Sequence, residues 1–210
     1  MELKIIHDAV DFLKGEEQFS FNGTGAGFNV LDFWRFQFSN LPDMQGRVGE
    51  FLVAMALEKA TPDNNNGWTL WDINYRGKRI EVKTTAYYQP WRDVEDNKEV
   101  HDQEEKNYSD QRTFGIKKSI DPNDKQRKRM NDIYVFVLNT GKNKTDADPL
   151  VLEHWEFYVV PTSIINEQCK DNKSIGLGKV KKLAKQVNLE KGLSFKELKS
   201  FIDGLIDEQL

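Results

Sequence analysis

Glu81 and Lys83 stand two apart in the stretch GKRIEVKTT, residues 77 to 85. The stretch reads as a strand, and strand residues two apart share a face. An acid and a lysine therefore project side by side, while Ile80 and Val82 turn the other way. A second acid, Asp72, precedes them on what reads as the partner strand of a β-hairpin. Two close carboxylates form a hard-oxygen site suited to Mg²⁺, an ion that keeps several waters and favours phosphate oxygens. Such a site lowers the pKa of a bound water and neutralises charge developing on phosphorus. Lys83 adds a fixed positive charge that stabilises a pentacovalent phosphate or orients the nucleophile. To act as general base, Lys83 would need a strongly depressed pKa.

The elements that must position these groups follow from the flanking sequence. Two strand-like runs in WTLWDINYRGKRIEVKTTAYYQPW flank Arg76 and Gly77. A loop of two or four residues centred there sets Tyr75 opposite Lys78, Ile73 opposite Ile80 and Trp71 opposite Val82. Asp72 then falls opposite Glu81, and like charges so placed repel unless a cation lies between them. A three-residue loop would shift the register and remove that pairing. Trp68 and Leu70 share the Asp72 face, so that face is not plainly solvent. If the Glu81 strand continues, Thr85, Tyr87 and Gln89 stay on its face until Pro90 stops it. Gln89 is then a secondary candidate for the metal waters or a phosphate, against a solvent-facing glutamine.

Upstream, residues 42 to 59 (PDMQGRVGEFLVAMALEK) read as a helix. Ser39 or Asn40 serves as cap, Pro42 and Asp43 suit the first turn, and Val48, Phe51, Leu52 and Met55 form its apolar stripe. Glu50 has Gly46, Val53, Ala54 and Leu57 as helical neighbours. A carboxylate in that company needs a partner or a metal. An ion pair with Arg47 and a metal-supporting role are equally open.

This set resembles the PD-(D/E)XK nuclease superfamily, whose pattern is an acid, a spacer, then acid-x-lysine on adjacent strands. Asp72 matches the first acid, Glu81 the second, Lys83 the lysine, and Glu50 the helical acid of many members. Trp71 stands where the naming proline would be, a departure many members share. The resemblance covers about residues 42 to 138. It implies a restriction-endonuclease-like α/β fold, a mixed central sheet flanked by helices. It also implies Mg²⁺-dependent hydrolysis of phosphodiester bonds, with Mn²⁺ able to substitute and DNA the expected substrate. Asp72, Glu81 and Glu50 would serve the metal, and the Val82 backbone carbonyl would complete its shell. Relatives act in restriction, repair or defence.

Composition bounds the rest. The chain has 210 residues, 38% of them hydrophobic, enough for one large domain with a substantial core. One cysteine, Cys169, excludes an internal disulfide and a cysteine metal cluster. His7, His101 and His154 lack ligand-like spacing. No run approaches a membrane span, and MELKIIHDAV does not read as a signal peptide, so a soluble cytoplasmic protein is expected. From Asp93 to Asp110, acids outnumber lysines 8 to 2, a local net of −6 that leaves +2 for the rest of a chain whose total is −4. That segment reads as a mobile acidic insertion. Residues 111 to 129 follow with 7 Lys and Arg against 2 Asp. Here DPNDKQRKRM reads as a short helix with Asp121 as cap. Lys125, Arg127, Lys128 and Arg129 are candidate backbone contacts, with an Arg129–Asp132 ion pair as the alternative.

Three further expectations concern the ends. FNGTGAGF, residues 21 to 28, reads as a flexible glycine loop, since neither a preceding strand nor a suitably spaced helix supports a dinucleotide fingerprint. LDFWRFQFS is a short helix or a strand. TFGIKKS and DIYVFVL read as strands, the second central and buried. Residues 151 to 210 should supply a strand ending at Pro161 and helices packed on the core. The last helix has a Ser194–Glu197 capping box. Its stripe of Leu198, Phe201, Ile202, Leu205 and Ile206 suits core or a homodimer contact.

Overall fold

The computed structural model describes residues 14–37, 44–58, 70–89, 112–143 and 146–209. Outside them lie the amino-terminal stretch, the expected caps Ser39 and Asn40, the first-turn Pro42 and Asp43, Trp68, Pro90 and the acidic segment from Asp93 to Asp110. The contacts divide the chain into two compact units, Met1–Leu41 and Pro42–Leu210, where one domain was expected.

In the first unit, β1 (Gln18–Phe21) pairs antiparallel with β2 (Thr24–Asn29), and α1 (Val30–Gln37) follows directly. The glycine stretch is thus a hairpin, not a flexible loop. Asn22 and Gly23 form its turn with φ of 51° and 79°, the left-handed pair that a two-residue turn demands. LDFWRFQ is helical. Asn29 Oδ1 accepts from the Asp32 amide and Asp32 Oδ2 from the Asn29 amide, both at 3.0 Å, which starts the helix.

The second unit is built on a mixed sheet of order β3-β4-β8-β9. Its strands are β3 (Ile73–Tyr75), β4 (Lys78–Ala86), β8 (Ile133–Asn139) and β9 (Trp155–Pro161). β4 runs parallel to β8, and both outer pairings are antiparallel. The turn at Arg76 and Gly77, with φ of 48° and 77°, fixes the expected register: Tyr75 to Lys78 and Ile73 to Ile80. All of β8 is buried, as its unbroken apolar run requires.

Helices cover the sheet. α2 (Gln45–Ala56) packs on β4, and α3 (Thr162–Cys169), α4 (Leu177–Ala184) and α5 (Phe195–Gln209) pack against β9. The last helix begins as expected, with the Ser194 amide donating to Glu197 at 2.8 Å, and it buries Leu198, Ile202 and Leu205 in the chain's own core. A short pair, β5 (Thr113–Gly115) with β10 (Ser174–Gly176), sets Phe114 edge-on against Phe136 at 5.1 Å between ring centres. The architecture is mixed α/β. Among the described residues no helix is long and apolar enough to cross a membrane.

Two local expectations change. The buried residues of α2 are Gln45, Gly49, Leu52, Val53, Ala54 and Ala56; of the expected stripe Leu52 is buried, Val48 and Met55 are partly buried against the core, and Phe51 is exposed. Close approach sets the rotation of α2: a Cβ on Gly49 would lie 2.1 Å from Thr84 Oγ1. Residues 119 to 128 are a second hairpin rather than a helix, β6 (Ser119–Ile120) with β7 (Arg127–Lys128). Asp121 Oδ1 takes the Asn123 amide at 2.8 Å and Asp124 Oδ1 the Gln126 amide at 2.9 Å, while Lys125 adopts φ of 60°. These side-chain bonds compete with helical ones and turn the chain back.

Replacing Gly49 with alanine should cost about 1–3 kcal/mol by forcing α2 off β4. In a chain of this size each kcal/mol lowers the melting midpoint by roughly 2–4 °C. Thr84→Ala, which removes the nearest atom, should recover part of the loss in thermal unfolding. No recovery would show that the contact does not set the helix position.

Candidate active site

Unequal strand lengths create the site. β3 has 3 residues and β4 has 9, so beyond Ile80 no strand pairs with the outer edge of β4 among the described residues. The Asp72 amide still reaches the Ile80 carbonyl at 3.0 Å. Its carboxylate then takes over from the missing strand, accepting the Val82 amide at 2.7 Å. Asp72 therefore caps the ladder instead of standing opposite Glu81 in it. In an extended strand the N–H and C=O of one residue face the same edge. The Val82 carbonyl thus points to the side where Asp72 lies.

Glu81 and Lys83 leave β4 on one face, as alternation requires, and form an ion pair with side chains 18% and 34% exposed. Glu50 arrives from α2, where Arg47 Nη1 donates to its Oε2 at 2.8 Å. Gly49 makes this reach possible by letting α2 lie against β4 one residue before Glu50. The Arg47 pair is present, and Glu50 also lies within electrostatic reach of Asp72 and Glu81. The Arg47 charge also acts on Asp72.

Burial raises the carboxyl pKa of Glu50, Asp72 and Glu81 above the ordinary range. The Asp72 charge raises both glutamates further, and Glu50 adds to the shift of Glu81. Opposing this are the Val82 amide and Lys83 at Asp72, Arg47 at Glu50, and Lys83 at Glu81. The mutual effects show that the acids are electrostatic neighbours. They are not a closed cage, since among the described residues no three His, Cys, Asp or Glu side chains converge as metal ligands. The donors suit a hard cation shared by two carboxylates and a carbonyl, with Glu50 behind them.

The secondary candidates fare differently. Gln89 is buried, and its amide reaches Thr85 Oγ1 at 3.5 Å, so it is not a solvent-facing residue. β4 ends at Ala86, short of Gln89. Arg129 is not a surface contact. Its guanidinium donates to the carbonyls of Ile116, Lys170 and Asn172 and to Asn166 Oδ1 at 2.8–3.1 Å. Asp132, its proposed partner, is held instead by Arg79 at 2.8 Å. Lys128 is paired with Asp121 and Asp124, whereas Lys125 and Arg127 are exposed.

A carboxyl whose native pKa exceeds its unfolded value of roughly 4 holds its proton more tightly when folded. Stability then falls as pH rises from that value through the raised native one, and the repulsion persists above it. Asp72→Asn, whose amide oxygen can still accept from Val82, should therefore raise the melting midpoint near pH 7 by a few degrees. The gain should shrink toward pH 4 in a pH series of thermal melts. A lower midpoint at neutral pH would contradict the repulsion.

No family model, no curated protein and no solved structure matches this chain, so the resemblance rests on Glu50, Asp72, Glu81 and Lys83 and on their placement.

Proposed function

We propose that the chain is a metal-dependent nuclease of the PD-(D/E)XK type, with a restriction-endonuclease-like core and DNA as substrate. One observation carries this reading: Asp72, Glu81 and Lys83 meet beside the unpaired edge of β4, with Glu50 brought to them by α2. Asp72 and Glu81 would hold Mg²⁺ or Mn²⁺ with the Val82 carbonyl, and Glu50 would support them. The ion supplies Lewis-acid activation of water and neutralises charge on the phosphate.

The residues supply the rest. Raised carboxyl pKa values and mutual repulsion make the acids stronger ligands for a cation than isolated carboxylates. Glu81 and Lys83 neutralise one another in the protein by itself. The Lys83 ammonium, so paired with Glu81, would face the reacting phosphate and offset its charge. Water would form the new P–O bond and give up a proton to solvent, the ester P–O bond would break, and the leaving oxygen would take up a proton from solvent. The Arg47–Glu50 and Lys83–Glu81 pairs also support a rival reading, in which the acids are structural ion pairs.

Supercoiled plasmid separates the two. The protein should nick it with Mg²⁺ or Mn²⁺ and not with EDTA, and Lys83→Ala should lose about 10²–10⁴-fold in rate. Mg²⁺ should also raise the melting midpoint of the wild type and leave Asp72→Asn unmoved, because a ligand stabilises only the state that binds it. Absence of both nicking and the metal-induced shift would leave the structural reading standing.

A further inference from the structure

Both strands of the β6–β7 ribbon are exposed. Apart from Asp121 and half-buried Lys118, its residues from Lys117 to Lys128 are open to solvent, including Ile120 at 54%. Below it the chain is fastened. Ile116 is buried, and the Arg129 guanidinium ties the returning strand to backbone carbonyls from Ile116 to Asn172. A buried cation that secures an exposed two-stranded ribbon is a device for holding that ribbon out from the body.

The ribbon's charge is unbalanced. Lys128 bridges the two acids of the tip, Asp121 and Asp124, and offsets one of their two charges, while Lys118 pairs with Asp171. Lys125 donates to the Pro122 carbonyl and keeps its charge. Lys117 and Arg127 have no carboxylate partner among the described residues. They line a groove of about 340 Å³ with Lys118, Ser119 and Ile120. The ribbon also stands at the right end of the sheet. Arg129 is 3 residues before Asp132, a reach of at most about 11 Å. From there β8 begins with Ile133 beside Ile80 and Tyr134 beside Glu81.

We infer that this ribbon is an arm that enters the major groove of B-form DNA, with Lys117 and Arg127 on flanking phosphates. The inference rests on the nuclease reading for its choice of partner. Shape selects the form of nucleic acid: a two-stranded ribbon fits the major groove of B-form DNA, about 12 Å wide, but not the deep, narrow one of A-form RNA.

The test reads binding without cleavage, by fluorescence anisotropy in EDTA, with a labelled 25-bp DNA duplex over a series of salt concentrations. Lys117→Ala/Arg127→Ala should weaken binding about 10-fold or more and reduce the logarithmic salt slope by about 2, close to one per lost phosphate contact. Lys191→Ala/Lys196→Ala, also exposed, should leave the slope in place, and both variants should melt as the wild type does. RNA duplex of the same sequence should compete poorly. An unchanged slope in the arm variant, an equal loss in the control variant, equal competition by duplex RNA, or no duplex binding by the wild type would each overturn the arm. Plasmid nicking with an unaffected slope would remove the arm and leave the nuclease. Arm-dependent binding by a protein that never nicks would do the reverse.

Discussion

The bond from the Val82 amide to the Asp72 carboxylate, 2.7 Å long, is the point on which the second unit turns. A sheet edge presents a row of backbone donors and acceptors, and a strand that ends early must hand them to something else. Here β3 stops at Ile73 and a side chain takes the next donor. That substitution places a carboxylate where a strand would otherwise continue. Among the described residues no strand pairs with the far half of β4 on that side. Glu81, Lys83 and Glu50 gather around that edge, because nothing in the β3 strand covers it.

The cost of this arrangement is carried by the core around it. Carboxylates that repel one another and are partly desolvated work against folding at neutral pH. They persist because β8 and β9 are buried along almost their whole length and α2 is pressed on β4 at Gly49. Lys83 and Arg47 relieve part of the repulsion, each pairing with one glutamate. A rigid sheet with a strained polar edge is the division of labour expected where chemistry is to occur. The other charged clusters of this unit are of a different kind. Arg79 with Asp132, and Arg76 with Asp203 and Asp207, join an acid to a base in near-ideal geometry and bind one element to the next.

Sequence reasoning succeeded where a pattern is local. The hairpin register follows from the two-residue turn at Arg76 and Gly77, the buried strand from the apolar run of DIYVFVL, and the last helix from its capping residues and stripe. The shared face of Glu81 and Lys83 needed only the alternation of a strand, whereas Asp72, beyond the end of β3, reaches the Val82 amide instead of pairing with Glu81. It failed where local signals compete. NG within FNGTGAGF is itself a turn signal, but the surrounding glycines hid the strands on either side. DPND has the residues of a helix start, but Asp121 and Asp124 bond to amides that make a turn.

What the sequence determined by itself is the set of local periodicities and the shared face of Glu81 and Lys83, because alternation and turn geometry are properties of neighbouring residues. Tertiary structure decided the rest. The rotation of α2, and so the direction of Glu50, depends on how closely Gly49 approaches Thr84 from a strand 35 positions later. Arg129 looked like one more cation in a basic run. It became a buried anchor because Ile116 and the stretch from Asn166 to Asn172, remote from each other in sequence, surround it. The role of a charge depends on what encloses it, and enclosure is set by the packing of distant segments.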